Sequence, residues 1–150
     1  MRYINEKMVK PVVIGGITTG ILVSIFILVY EGTGCFCCLL YILSGIITAY
    51  LLTQEYLPSD RDYLIAGALS GGIAGFISWL LYALKVVLLS LLYNTVSMSS
   101  VIGMKMGMIS FIGFALLLLI NFFVYLLAGI TFGVVGAILY RVVTEEIMKR

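Results

Sequence analysis

The stretch IGGITTGILVSIFI, Ile14 to Ile27, can be laid over IAGALSGGIAGFIS, Ile65 to Ser78, residue for residue. The overlay sets Gly16 on Gly67, Gly20 on Gly71 and Ser24 on Gly75. Residues four apart lie on one face of a helix, so each stretch presents a ridge without bulky side chains. Such ridges let two backbones approach closely, which is how helices pack in lipid, where apolar surfaces gain nothing from leaving water. A shorter match relates Gly45-Ile-Ile-Thr-Ala49 to Gly133-Val-Val-Gly-Ala137, and Gly129, Gly133 and Ala137 continue a third ridge. Read outward from these ridges, the chain is two helix hairpins, the second a repeat of the first. Whether the ridges join helices of one bundle or separate copies of the chain is open at this level.

The remainder of the chain suits that reading. Of 150 residues, 63% are hydrophobic and 11% charged, against about 25% charged in an average soluble domain. The mean hydropathy is +1.20. Crossing a hydrocarbon layer of about 30 Å takes about 20 helical residues. Four stretches qualify, at residues 11–30, 36–52, 63–83 and 110–140. The expected fold is therefore an all-α integral membrane four-helix bundle, one transmembrane domain over residues 1–150. Pro11 suits the first turn of the first helix. Pro58-Ser-Asp-Arg-Asp62 ends the second helix and caps the third through Ser59 and Asp62. The last stretch would be about 46 Å long, so it has to tilt, kink or begin outside the hydrocarbon. Residues Val86 to Met108 read as a surface helix, a re-entrant segment or a loop.

The basic residues divide unevenly between the two sides. Arg2, Lys7, Lys10, Arg61, Arg141, Lys149 and Arg150 fall on the side of the termini, and only Lys85 and Lys105 on the other. The positive-inside rule then puts both termini in the cytoplasm of a multi-pass plasma-membrane protein. A formal net charge of +2 makes no basic patch of the kind nucleic acid requires.

Catalytic constellations are missing from the sequence. Histidine, the commonest general base and metal ligand, does not occur. Glu6, Glu31, Glu55, Asp60, Asp62, Glu145 and Glu146 fall at termini, turns or helix ends, so no carboxylate pair is placed within a span. No phosphate loop, dinucleotide fingerprint or serine elbow is present. The expectation is a protein without enzymatic activity and without a cofactor. Asn121 and Thr131 are candidate intramembrane polar residues, each expected to bond a neighbouring helix or to line a wet cavity. Lys85, at the outer end of the third stretch, would snorkel, line a pore mouth or meet a lipid headgroup.

Every cysteine lies within GCFCC, at Cys35, Cys37 and Cys38. On the same expected side, Met104, Met106 and Met108 follow one another in Met-Lys-Met-Gly-Met. Thiolates and thioethers are soft donors that select copper(I). Against that, three cysteines within one helical turn point in different directions and lack zinc-knuckle spacing. Packing is the favoured reading, because free cysteine behaves as a small hydrophobe and methionine as a gap-filler.

A glycine-ridged helix, a short turn, the cysteine cluster running into Leu-Leu-Tyr-Ile-Leu-Ser-Gly-Ile-Ile-Thr-Ala-Tyr-Leu-Leu, an acidic turn and a second glycine-rich helix together resemble a family of small uncharacterised membrane proteins of archaea and bacteria. The likeness covers roughly Val12 to Tyr82. It implies a prokaryotic plasma membrane and a four-helix unit, and names no substrate. The leading expectation for function is a non-enzymatic structural or interaction subunit, surrounded by the lipid bilayer and joined to copies of itself or to a larger membrane complex. The alternatives are a small channel or transporter for an ion or small solute, and a copper(I)-handling protein. A channel would leave Asn121, Thr131 and the small residues around a wet cavity, whereas packing would fill them with neighbouring helices.

Overall fold

The computed structural model describes residues 6–29, 34–55, 58–96 and 103–148, with side chains over 8–27, 38–55, 58–89 and 113–147. Within them the chain forms four helices, α1 (Glu6–Val29), α2 (Gly34–Glu55), α3 (Asp60–Val96) and α4 (Gly103–Met148). Helices are the outcome lipid demands, since each backbone N–H and C=O is then satisfied within its own segment. All four are long and apolar enough to cross a membrane.

The helices run alternately up and down. Contacts join α1 to α2 and α3, α4 to α2 and α3, and α2 to α3; among the described residues the backbones of α1 and α4 do not approach each other. Order and direction thus repeat from one hairpin to the next, with α1 parallel to α3 and α2 parallel to α4, while the packing does not. Met8, Val12, Leu52 and Ala66 form one buried cluster near the first turns of α1. Val23, Tyr41 and Ala74 form another toward the opposite end, bordered by Tyr125 and Phe132. Ala49, Tyr63 and Ala137 join α2, α3 and α4 close to both chain ends.

Local sequence explains the helix starts with one correction. Pro11 lies inside α1, not in its first turn, because the helix begins at Glu6. Its ring removes one N–H from the helical ladder. At α3 the expected cap is present in altered form. The Ser59 backbone N–H and hydroxyl both donate to Asp62 Oδ2 at 2.9 Å. The Asp62 and Tyr63 N–H groups then bond Ser59 O at 2.9 and 3.3 Å.

Of the segment Val86 to Met108, residues 97–102 lie outside the described residues, and the rest is helix. Val86 to Val96 continue α3 as helix, and Gly103 to Met108 already belong to α4. At 1.5 Å per residue, α1 and α2 are about 35 Å long, whereas α3 and α4 reach about 55 and 70 Å. Lys85 stands level with Ile27, near the end of α1. The part of α3 beyond it therefore extends about 13 Å past the end of α1.

Packing on the glycines is close to the limit. A Cβ built at Gly71 would overlap the Gly129 carbonyl oxygen, and one at Gly129 would overlap that of Gly71. Both obstacles are backbone, so neither can swing aside. The neighbouring Gly72 is different, with Ile130 Cγ1 at an ordinary 3.5 Å. Gly71→Ala should destabilise the bundle by about 1–3 kcal/mol, the usual cost of overpacking. Gly72→Ala should be neutral or stabilising by up to about 1 kcal/mol, through helix propensity. Denaturant titration of both variants in mixed micelles checks this; equal effects would contradict the packing described.

Candidate functional site

The small residues occupy the interior of the bundle, but the aligned ridges face different neighbours. Gly16 and Gly20 of α1 receive Ile73 and Ile77 of α3, whose Cβ atoms lie 2.8 and 2.9 Å from where the glycine Cβ atoms would be. Ser24, the third position of that ridge, is buried and donates to Gly20 O at 2.6 Å. Gly67, Gly71 and Gly75 of α3 face α4 instead, against the carbonyls of Gly133, Gly129 and Tyr125. The shorter sequence match also has a spatial counterpart, because Gly45 of α2 sits on Gly133 O and Ala137 N of α4.

The recurring element at these places is a carbonyl oxygen set where a glycine Cβ would stand. It occurs at Gly45, Gly71, Gly75, Gly129, Gly133 and Gly136. An oxygen in that position lies along a glycine Cα–H bond, the geometry of a Cα–H···O contact worth about 0.5–1 kcal/mol. Gly133 takes part on both sides, its oxygen against Gly45 and Gly67 and its Cα–H against Gly67 O. It is the point where α2, α3 and α4 converge.

Sequence reading did not single out Gly15 or Gly136. Gly15 packs against the Thr48 hydroxyl of α2, and Gly136 against Ile42 O. The available signal was adjacency to a ridge position, since Gly15 precedes Gly16 and Gly136 precedes Ala137. A helix rotates about 100° per residue, so a glycine pair serves two neighbours at once. Thr19, Ser44 and Thr48 were also missed; all three are fully buried.

Farther from the chain ends, the α3–α4 contact changes from glycines to rings. Trp79 lies edge-on to Phe122 with centroids 4.9 Å apart, and its Nε1–H donates to Leu118 O at 3.0 Å. Toward the chain ends, Arg141 of α4 holds Asp60 of α3 at 2.7 Å and Glu145 at 3.0 Å. Thr53 and Tyr140 are 3.3 Å apart through their hydroxyls.

Asn121 and Thr131 are not placed as expected. The Asn121 amide donates to Leu117 O of its own helix at 2.8 Å, and Thr131 donates to Leu127 O at 2.9 Å. Thr131 lies on the outward stripe of α4 with Leu117, Val124, Leu127 and Val135, all exposed, and Asn121, half-buried, lies at its edge. Among the described residues these bonds stay within α4, which turns its glycine face inward. Lys85 is half-buried, and its Nζ lies 3.4 Å from Ile27 O in the last turn of α1.

The cysteine and methionine sets are apart. Side chains of Cys35, Cys37, Met104, Met106 and Met108 lie outside the described residues; Cys38 is half-buried. Tyr41, one turn from Cys38, packs beside Tyr125 and Phe132. Met108 is farther along α4 from Tyr125 by about 25 Å of helix. Among the described residues no cluster of three His, Cys, Asp or Glu could hold a metal. The arrangement brings together backbones, rings and hydroxyls.

Compared with known proteins, the chain matches the MJ1491 transmembrane domain family over residues 9–146, and it belongs to that family. No curated protein and no solved structure matches it. It is accordingly a multi-pass membrane protein in contact with lipid.

Lys85 is the charged side chain placed deepest along α3. Its ammonium meets the carbonyl end of α1, where a helix terminus carries partial negative charge, an interaction worth about 0.3–1 kcal/mol. Lys85→Met keeps the stem and removes the charge, so it should lower stability by that amount, with Lys85→Arg retaining most of it. Unfolding titrations in the same micelles decide; a stabilised Met variant would contradict the contact.

Proposed function

We propose that this member of the MJ1491 transmembrane domain family is a non-enzymatic structural or interaction subunit of the plasma membrane that self-associates through the outward stripe of α4. The observation that carries this reading is Asn121. It spends one amide N–H on Leu117 O and retains a carbonyl oxygen and a second N–H at the edge of a stripe that is apolar apart from Thr131. Lipid tails offer such groups no partner. A second protein copy does, and amide bonds of this kind help hold membrane helices together. The α4 span is also the most apolar of the four and has the smallest share of its length buried within the bundle.

The glycine ridges support this choice of surface by exclusion. Their faces are occupied by neighbouring helices of the same chain, so they are not available to another copy without opening the bundle. The channel reading has less in its favour, since Asn121 and Thr131 do not converge with the small residues on a common interior. The bias of basic residues toward the termini supports a cytoplasmic location for both of them.

The mass of the protein in lipid nanodiscs tests the proposal. The native chain should form a discrete oligomer, and Asn121→Leu should shift it toward monomer by about tenfold in the association constant, corresponding to about 1–2 kcal/mol per interhelical bond. A monomeric native chain would refute self-association; an oligomer unaffected by the substitution would move the interface away from Asn121.

A further inference from the structure

All but three of the described serine and threonine side chains have a hydrogen-bond partner. Most donate to a carbonyl of their own helix, as Ser24 does to Gly20 O at 2.6 Å and Ser78 to Ala74 O at 2.8 Å; Ser59 donates to Asp62. The exceptions are Thr19, Ser44 and Thr48, whose hydroxyl oxygens are covered from solvent and reach no partner.

The exceptions share one place. Thr48 Oγ1 lies over Gly15. Val12 clusters with Leu52 on one side of that contact, and Val23 with Tyr41 on the other, which sets the antiparallel register of α1 against α2. In that register Thr19 falls opposite Ser44, one helical turn, about 5.4 Å, beyond the Gly15–Thr48 contact. The three hydroxyls make one short seam.

A helical serine or threonine has its own preceding carbonyl within reach, and the other buried hydroxyls take it. Three neighbours that do not are aimed at something the seam itself supplies. That ligand is uncharged, because no acidic or basic residue occurs between Pro11 and Ile27, Cys38 and Gln54, or Tyr63 and Leu84, and a buried ion without compensation is strongly disfavoured. It is also small, because Gly15 and Thr48 hold the helices close. Water fits, as a buried water takes two to four polar partners. The three hydroxyls supply them, and each helix carbonyl left aside keeps a second lone pair.

We infer that the α1–α2 seam is an internal hydration site, with water bridging Thr19, Ser44 and Thr48. α1 is then joined to α2 through bound water, whereas α4 is joined to α2 and α3 by direct backbone contact. This rests on interior geometry and is independent of self-association.

Water-to-amide magnetisation transfer, measured by NMR on the full chain in nanodiscs, tests the site alongside thermal unfolding. Transfer is expected at the amides of Thr19, Ser44 and Thr48. Ser44→Ala and Thr48→Val should each abolish it and lower Tm by about 2–4 °C. The double variant should lose little more than the worse single one, since both hold the same water. Absence of transfer in the native chain would overturn the inference. So would a Tm raised by removing either hydroxyl, the behaviour of a dry seam relieved of an unpaired polar group.

Discussion

The convergence of three helices on Gly133 is the constraint on which the bundle rests. Its carbonyl lies against Gly45 of α2 and Gly67 of α3, and its own Cα–H faces Gly67 O. Apolar surface gains nothing from leaving lipid for protein, so what holds membrane helices together is dispersion and polar contact at short range. Dispersion fades quickly with separation; a gap of 0.5–1 Å forfeits about a quarter to a half of each contact. Glycine is what allows the separation to be small. A side chain at this point would run into the α3 backbone at Gly67 and Gly71.

α1 is held by other means. Its ridge meets isoleucine side chains together with the Ser70 carbonyl and not a second glycine ridge, and its backbone does not approach that of α4 among the described residues. The remaining ties are the Lys85 ammonium at its C-terminal end and the hydroxyls it shares with α2. Fewer of the close approaches of α1 are to carbonyls than of those among α2, α3 and α4.

The two hairpins also differ in length. α1 and α2 match a hydrocarbon core of about 30 Å with little to spare, while α3 and α4 exceed it. A helix longer than the bilayer tilts or emerges; the excess of α3 lies at the end away from the termini, past Lys85, and α4 also runs on past Arg141 to Met148 at the other end. At the other end, Arg141, Asp60 and Glu145 supply charge at the membrane boundary. The repeat is thus one of order and direction, carrying a short hairpin beside a long one.

Hydropathy and spacing in the sequence were sufficient for the class of protein, the number of spans, their alternating direction and the small-residue ridges, because these depend on local composition and helical period. The cap at Ser59 and Asp62 was legible for the same reason. Spacing places a residue on a face but does not say which neighbour that face meets, and so the overlay of Gly16 with Gly67 was silent on their packing against different helices. Asn121 and Thr131 were read as facing a neighbouring helix or a wet cavity because polar residues in a span ordinarily do; α4 turned its glycines inward, and the rotation that buries them leaves Asn121 half-buried at the edge of the outer face and Thr131 on it. Continuation of α3 past Lys85, and with it the distance between the cysteines and methionines, is likewise a property of whole helices in register. Thr19, Ser44 and Thr48 became a site only when α1 and α2 were set antiparallel, since no residue spacing within one helix encodes the register between two.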